Sequence, residues 1–212
     1  MSKKKTATNQ QSKVYDRDSL EFHRVINLSD AVFAIAMTLL VLTIDIPDVP
    51  SEQLGKALIS QASQFAALIL SFSLVAMIWW QHHSHMALLK KMDPLLIALN
   101  MIFLGVVILV PYPTNLIGND PQARAALIFF ILTFILLNLV FMLLMIRANS
   151  IGAFTEPMTG KTFTGELTGW FAGIFILIIA LIVGLWYPLV SLIILAVTLV
   201  ISPILSYLSL RY

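Results

Sequence analysis

The sequence predicts an all-α integral membrane protein with six transmembrane helices. Of its 212 residues, 59% are hydrophobic and only 11% are charged. An ordinary soluble domain carries roughly 25% charged residues, so this chain lacks the polar surface that a water-soluble protein needs. The few charges also leave long uncharged runs between them, and these runs have the length of membrane spans.

Three uncharged runs each predict one span, because about 20 apolar residues cross the hydrocarbon core of a bilayer. They are Ala57–Gln81, Pro94–Ile117 and Ala125–Ile146. A fourth run, Leu167–Leu210, is long enough for two spans. Near its middle lies the sequence Trp186-Tyr187-Pro188. Aromatic residues favour the membrane interface and proline suits the start of a helix, so we place a tight turn there.

The sixth span comes first in the chain and is the least apolar. The uncharged run Ala31–Ile44 is too short to cross a bilayer alone. Extending the helix back through Asp30 and Ser29 to Arg24 supplies the missing length but places charges in or near the membrane. Such residues are expensive there and mark function by default. The alternative, that Ser29 and Asp30 only cap a shorter helix at the interface, stays open.

Positive charge predicts the orientation. Eleven of the 13 Lys and Arg residues fall on the side of the termini, and only Lys56 and Arg124 fall on the other side. Because cytosolic loops are enriched in Lys and Arg, both termini are expected in the cytosol. The chain then divides into a cytosolic N-terminal tail, residues 1–22, and a six-helix transmembrane domain, residues 23–212.

The first helix has two distinct faces. At 100° per residue, Ile35, Thr38, Leu39 and Leu42 share one face, and Asp30 points about 140° away from Ile35. A lone carboxylate buried among helices is costly, so it needs partners. The candidate partners are Arg24, Trp79, His82 and His83. The apolar stripe fits either a packing seam between helices or a dry pore constriction, and spacing alone does not separate the two.

Small and polar residues inside the other spans predict helix packing. Asn100 and Asn138 are expected to form hydrogen bonds between helices. Gly165, Gly169 and Gly173 recur every fourth residue, a spacing typical of close contact between helices.

Several kinds of site are not predicted. The chain has no cysteine, and His82, His83 and His85 are spread around a helix end, so we expect no metal site. A phosphate-binding glycine loop, a nucleophile constellation and an HExxH motif are all absent, so we expect no enzyme and no cofactor. The net charge of +2 is too small to indicate nucleic acid. The TVGYG filter of many potassium channels is also absent.

Four stretches of the sequence carry a resemblance. The longest, His23–Leu40, contains an Arg, a Ser-Asp pair and an Ala-Ile-x-x-Thr-Leu-Leu run. The other three are Trp79–His83, Asn100–Leu104 and Pro111–Thr114. In this combination the chain resembles the transmembrane protein 175 family of potassium channels in its bacterial form. The match covers most of residues 20–116, with Leu28 and Ala31 where the family usually has Phe and Gly.

The resemblance implies a homotetramer in which the first helix of each subunit lines the central pore. Ile35, Leu39 and Leu42 would form the apolar constriction, which determines selectivity together with a hydroxyl ring at Thr38. A polar network between helices would hold the first helix in place. Its members would be Arg24, Ser29, Asp30, Trp79, Asn100 and the pair His82 and His83, of which the sequence does not tell which one joins.

The sequence therefore predicts a potassium-permeable channel in the bacterial plasma membrane that ions cross passively. Asp45 and Asp48, near the outer mouth, would raise the local cation concentration. Conduction of protons beside K⁺ stays open. One alternative is a proton- or ion-coupled secondary transporter, which would need a broken helix or an ionisable site at the midplane. The other is a membrane scaffold that transports nothing.

Overall fold

The computed structural model describes residues 14–156 and 160–209, with side chains described except at 160–163, 166 and 200–209. Residues 1–13 of the predicted tail and Arg211 lie outside the described residues. The helices are α1 (Leu20–Leu39), α2 (Leu54–Ser60), α3 (Ala62–Ala87), α4 (Pro94–Leu109), α5 (Pro111–Asn119), α6 (Arg124–Ser150), α7 (Gly160–Gly184) and α8 (Pro188–Ser209). Two short strands are β1 (Tyr15–Asp16) and β2 (Lys91–Met92).

Five segments among the described residues are long and apolar enough to cross a membrane. They are Leu20–Thr43, Ala62–Ala87, Pro94–Asn119, Arg124–Ser150 and Leu167–Gly184. The predicted sixth span coincides with α8, whose apolar part within the described side chains is the shorter segment Pro188–Leu199. Six spans therefore remain a prediction. The turn between α7 and α8 lies where Trp186-Tyr187-Pro188 predicts it.

The first helix starts well before the Ser29-Asp30 pair. Ser19 caps it, because its hydroxyl accepts a hydrogen bond from the backbone N–H of Phe22 at 3.3 Å. α1 then passes through both residues without interruption and tightens into a 3₁₀ turn at Leu40–Thr43. The alternative in which Ser29 and Asp30 cap a shorter helix is therefore wrong.

The third span consists of two helices, α4 and α5. Pro111 has no backbone N–H, so it cannot donate a hydrogen bond to the preceding turn, and the helix is broken there. Val110 keeps helical angles at the break, with φ −54° and ψ −40°. Thr114 then anchors α5 to α3, because its hydroxyl donates to the carbonyl of Val110 at 2.8 Å, its oxygen lies 2.8 Å from that of Ser71, and both residues are fully buried.

Three segments meet beside the start of α1. β1 and β2 pair antiparallel. The backbone N–H of Lys90, just before β2, donates to the carbonyl of Ala153 at 2.7 Å, beyond the end of α6. We call β1, β2 and residues 153–155 the terminal clasp. It fixes the chain that enters α1 to the α3–α4 connection and to the end of α6.

An ion pair lies under the terminal clasp. Asp93 caps α4 by accepting from the N–H of Leu96 at 2.9 Å, and it also accepts from the Nε and Nη2 atoms of Arg147 on α6. Burial alone would raise the pKa of Asp93, but the hydrogen bonds from Arg147 and Leu96 outweigh it and hold the pKa below its ordinary value. The carboxylate is therefore charged in the folded protein at neutral pH.

Candidate pore helix and polar network

The exposed face of α1 carries the predicted stripe. Ile35 is 57% exposed, Leu39 39% and Leu42 74%. The opposite face is buried against the other helices and includes Ser29, Phe33, Ala36 and Leu40. The stripe is therefore not a packing seam within one subunit. An exposed apolar face of this size on a membrane-spanning helix has to be covered by lipid or by another protein surface.

Thr38 lies at the edge of the stripe, beside a shallow groove between α1 and α3. Its hydroxyl donates to the carbonyl of Ile35 at 2.8 Å. That bond uses the single hydroxyl hydrogen, so the oxygen keeps a lone pair for another partner. Met37 and Val41 line the same groove on α1, and Phe72 lines it on α3.

A continuous chain of hydrogen bonds joins α1, α4 and α3. The Ser29 hydroxyl donates to the carbonyl of Val25 at 2.9 Å and accepts from the side-chain amide of Asn100 at 2.9 Å. The carbonyl oxygen of the Asn100 side chain lies 2.8 Å from Nε2 of His82, which is therefore the protonated ring nitrogen. Ser29, Asn100 and His82 are each 1% exposed, so water cannot replace the hydrogen bonds between their side chains.

Aromatic rings enclose His82 on several sides. Its ring stacks on Phe103 with the centroids 5.1 Å apart and the planes 4° apart. Phe33 of α1 lies 5.5 Å away and Phe141 of α6 lies 6.1 Å away, centroid to centroid. The imidazole therefore connects four helices, through one hydrogen bond and three ring contacts.

Asp30 belongs to a separate and more open cluster. The indole N–H of Trp79 donates to its carboxylate at 3.0 Å. The Nδ1 atom of His83 lies 3.6 Å from the same oxygen. The side chain of Asp30 is 39% exposed and that of His83 is 45% exposed. The two neighbouring histidines thus take different partners, His82 facing Asn100 and His83 facing Asp30.

Arg24 lies apart from both clusters. It is exposed, and it forms no hydrogen bond or ion pair within the described part of the chain. Its position explains this, because the helical period places Arg24 only about 20° from Ile35, on the side of the stripe. The structure therefore does not bring Arg24 to Asp30, contrary to the sequence-based expectation.

The far end of α1 is held by amide side chains that the sequence analysis missed. Gln64, buried at the start of α3, accepts from the backbone N–H of Asp45 at 3.1 Å and donates to its carboxylate at 2.8 Å. The same amide donates to Asn119 at 2.6 Å. Asn115 donates to the carbonyl of Thr43 at 3.0 Å. These residues lie near the ends of the uncharged runs, where a polar amide destabilises a membrane span only slightly. Their position near the span ends was the only indication in the sequence of a role for them.

Asp48, the other acidic residue predicted at the outer mouth, is exposed. It has no hydrogen bond or ion pair among the described residues. Asp45 is therefore fixed in place and Asp48 is not.

Two packing expectations need correction. A Cβ atom built at Gly165 or Gly169 would meet nothing within 4 Å, and at Gly173 only the side-chain oxygen of Asn138, at 4.0 Å. The glycines therefore do not mark close contact between helices. The amide of Asn138 donates to the carbonyl of Phe134 in its own helix at 2.9 Å, so among the described contacts it joins no two helices.

The three neighbouring histidines, His82, His83 and His85, have separate partners. His82 and His83 have the partners given above, and Nδ1 of His85 lies 2.7 Å from the carbonyl of Gln81. Over the residues that the structure describes, no group of three or more His, Cys, Asp or Glu side chains could hold a metal ion.

The sequence matches known channel proteins. A family profile described as the endosomal/lysosomal potassium channel TMEM175 matches residues 24–111. A potassium channel of Streptomyces collinus is 34% identical over 143 residues, which are 65% of this chain and 69% of the relative. A potassium channel of Chamaesiphon minutus is 35% identical over 57% of this chain and 63% of the relative. The human endosomal/lysosomal proton channel TMEM175 is 29% identical over 74% of this chain but only 32% of its own length.

Two solved structures have the same overall fold. The Chamaesiphon minutus homologue of the lysosomal potassium-selective channel TMEM175 superimposes with a TM-score of 0.76 at 27% identity, over 91% of this chain and 98% of the homologue. The potassium channel MtTMEM175, solved with a nanobody fusion, superimposes with a TM-score of 0.57 over 96% of this chain and 99% of that channel. At 20% identity, the second likeness shows the fold alone.

Proposed function

This chain belongs to the TMEM175 family, and from that premise we propose that it forms a potassium-permeable channel through which ions pass passively. Four copies would surround a central pore in the bacterial plasma membrane, with both termini in the cytosol. The observation that carries the proposal is the exposed apolar stripe of Ile35, Leu39 and Leu42 on α1. Further copies of α1 would cover this stripe and leave its centre as the ion path.

The stripe would form an apolar neck in place of a TVGYG filter. Ile35 and Leu39 are four residues apart in α1, and Leu42 follows three residues later in the 3₁₀ turn, so neighbouring rings would each lie about 6 Å apart along the axis. Alkyl groups offer nothing to replace the water that a cation loses in a narrow passage. The neck should therefore limit conductance, and it can close by losing its water.

Thr38 would supply the nearest polar groups to a partly dehydrated ion. Its hydroxyl hydrogen is donated to the Ile35 carbonyl, which leaves oxygen lone pairs for K⁺. Selectivity for K⁺ would depend on this ring together with the neck. Proton conduction would depend on water entering the same passage.

The two polar clusters would hold α1 rather than conduct ions. Ser29 and Asp30 both contact side chains of other helices, on the side of α1 away from the stripe. At the outer mouth, Gln64 would aim the carboxylate of Asp45 and so help to concentrate cations.

The transporter alternative would have to use the helix break between α4 and α5. A secondary transporter typically binds its ions at an unwound part of a broken helix near the midplane. The α4–α5 break keeps helical angles at Val110, so it exposes no unwound segment.

Ion flux from liposomes tests the proposal, with K⁺, Na⁺ and H⁺ gradients measured separately. Leu39→Ala should widen the neck, raise K⁺ flux and weaken the preference for K⁺ over Na⁺, and Leu39→Asn should do so more strongly. Thr38→Val should lower the preference without preventing assembly. The matched control is Ile108→Ala, which shortens a 54% exposed side chain on α4. A well-folded Leu39→Ala tetramer with the flux and selectivity of the control would remove the pore assignment.

A further inference from the structure

A large cavity lies on the other side of α3 from the pore helix. It has a volume of about 460 Å³, is bordered by α3, α6, α7 and α8, and is partly open to its surroundings. Pockets that bind ligands usually have volumes of roughly 300–1,000 Å³. A close-packed interior contains few voids larger than a water molecule. The cavity is therefore large enough to admit part of a small molecule.

The walls of the cavity are apolar with three uncharged polar side chains. The apolar lining includes Leu74, Ile78, Phe134, Trp170 and Leu177. The polar groups among the described lining residues are those of Gln81, Asn138 and Thr198, and none of these described residues is charged. An ionised ligand group would therefore be buried without a counter-ion, which is costly inside a membrane. The lining favours an uncharged, mostly apolar occupant.

The polar groups can still bind a ligand. The Thr198 hydroxyl donates to the carbonyl of Ile194 at 2.8 Å, so its oxygen can only accept. The side-chain amide of Gln81 makes no hydrogen bond within the described residues and can donate. Gln81 lies one helical turn before His85, whose ring is 5.6 Å from that of Trp170. The free donor therefore stands at the end of the cavity nearest the terminal clasp.

Two glycines of α7 make room in this cavity. Gly169 and Gly173 line it, and a Cβ atom at Gly169 would meet nothing within 4 Å. Side chains at these two positions would project into the space between α7 and α3. The glycine ladder that the sequence suggested as a helix contact therefore borders an open volume.

We propose that this cavity binds one acyl chain of a phospholipid from the leaflet nearest the terminal clasp. The cavity walls are membrane-spanning helices, so lipid is the apolar molecule that surrounds them. An ester carbonyl only accepts hydrogen bonds and matches the free amide donor of Gln81. The alkyl chain would then extend along α3 towards Leu74. This inference goes beyond the proposed channel function and does not depend on it.

A photoreactive lipid tests the inference. The full chain is reconstituted in phosphatidylcholine vesicles that contain phosphatidylcholine with a diazirine in one acyl chain, and the labelled residues are mapped by mass spectrometry after illumination. The wild type should be labelled on cavity residues such as Ile78 and Leu177. Gly169→Leu, which fills the space, should reduce this labelling several-fold. The matched control Gly165→Leu, one turn earlier in α7 and outside the cavity lining, should not.

Labelling of Ile102 and Ile108, exposed on α4, gives the internal reference and should be equal in all variants. Equal cavity labelling in the two glycine variants would overturn the proposal. So would labelling on α4 without labelling in the cavity, which would mean a dry void or a space filled by a neighbouring subunit. If Gly169→Leu fails to fold, Thr198→Leu narrows the same space from α8 and should give the same loss.

Discussion

Removing the side chain of Asn100 is expected to destabilise the protein by about 1–3 kcal/mol. Asn100→Ala breaks two hydrogen bonds between helices, to Ser29 and to His82. Such bonds in membrane proteins average about 0.6 kcal/mol each and reach about 1.7. The substitution also leaves the ring N–H of His82 buried without a partner, and an unsatisfied buried donor costs about 1–3 kcal/mol.

The measurement is the free energy of unfolding of purified protein in detergent, from a titration with sodium dodecyl sulfate. Asn138→Ala is the matched control, because it removes the same side chain from another span but breaks only a bond within its own helix. Its effect should stay within about 0.5 kcal/mol. The double variant His82→Phe/Asn100→Leu should recover much of the loss, since replacing both partners by apolar groups is nearly neutral. Equal losses for Asn100→Ala and Asn138→Ala would refute the reasoning.

Three further outcomes are expected. Gly184→Ala should cost about 1–3 kcal/mol by overpacking, because its Cβ would collide with the buried Leu127 side chain. Gly105→Ala is the control, since a Cβ there meets open space, and it should be neutral or stabilising. Equal melting temperatures for the two variants would contradict this. The pKa of Asp93 is lowered in the folded state. Its carboxylate therefore stabilises the fold when the pH is above its ordinary pKa of about 3.9, and this stabilisation is lost as the pH falls through the folded pKa. Melting below pH ~4 should therefore depend on pH less in Asp93→Asn than in the wild type, and parallel profiles would argue against this linkage. Gln64→Leu should cost about 0.5–1.5 kcal/mol in the same detergent titration, because its bonds to Asp45 and Asn119 are lost while water can replace it at the exposed Asp45, and an unchanged value would exclude that role.

Charge and hydropathy predicted the spans well, because the length and hydropathy of a span can be read from the sequence without knowing which helix it packs against. The structure confirms four of the five spans that the uncharged runs predict, the first span extended back to Arg24, and the turn before Pro188. The helical period also predicted that Asp30 points away from the stripe, and Asp30 does contact Trp79 on another helix.

Partner choice could not be predicted in the same way. Asn100 and Asn138 look alike in the sequence, yet one bonds across helices and the other within its own, because only Asn100 faces polar side chains of α1 and α3. The strands β1 and β2 have two residues each, too short for any periodic pattern. Nothing in the sequence distinguishes Gln64 from other polar residues. Its partners are Asp45, which follows α1, and Asn119, which ends α5, and only the fold brings them to it.

The terminal clasp has a consequence for biosynthesis. β1 leaves the ribosome before any span, but its partner β2 follows only after α1 and α3 have been made. The bond from Lys90 to Ala153 has to wait until α6 is complete as well. The entry to α1 can therefore pair with β2 only after α1 and α3 have been made, and the terminal clasp is complete only after α6. Nascent chains stalled before β2 has left the ribosome should carry a first helix whose N-terminal end is still open to protease, and longer ones should be protected.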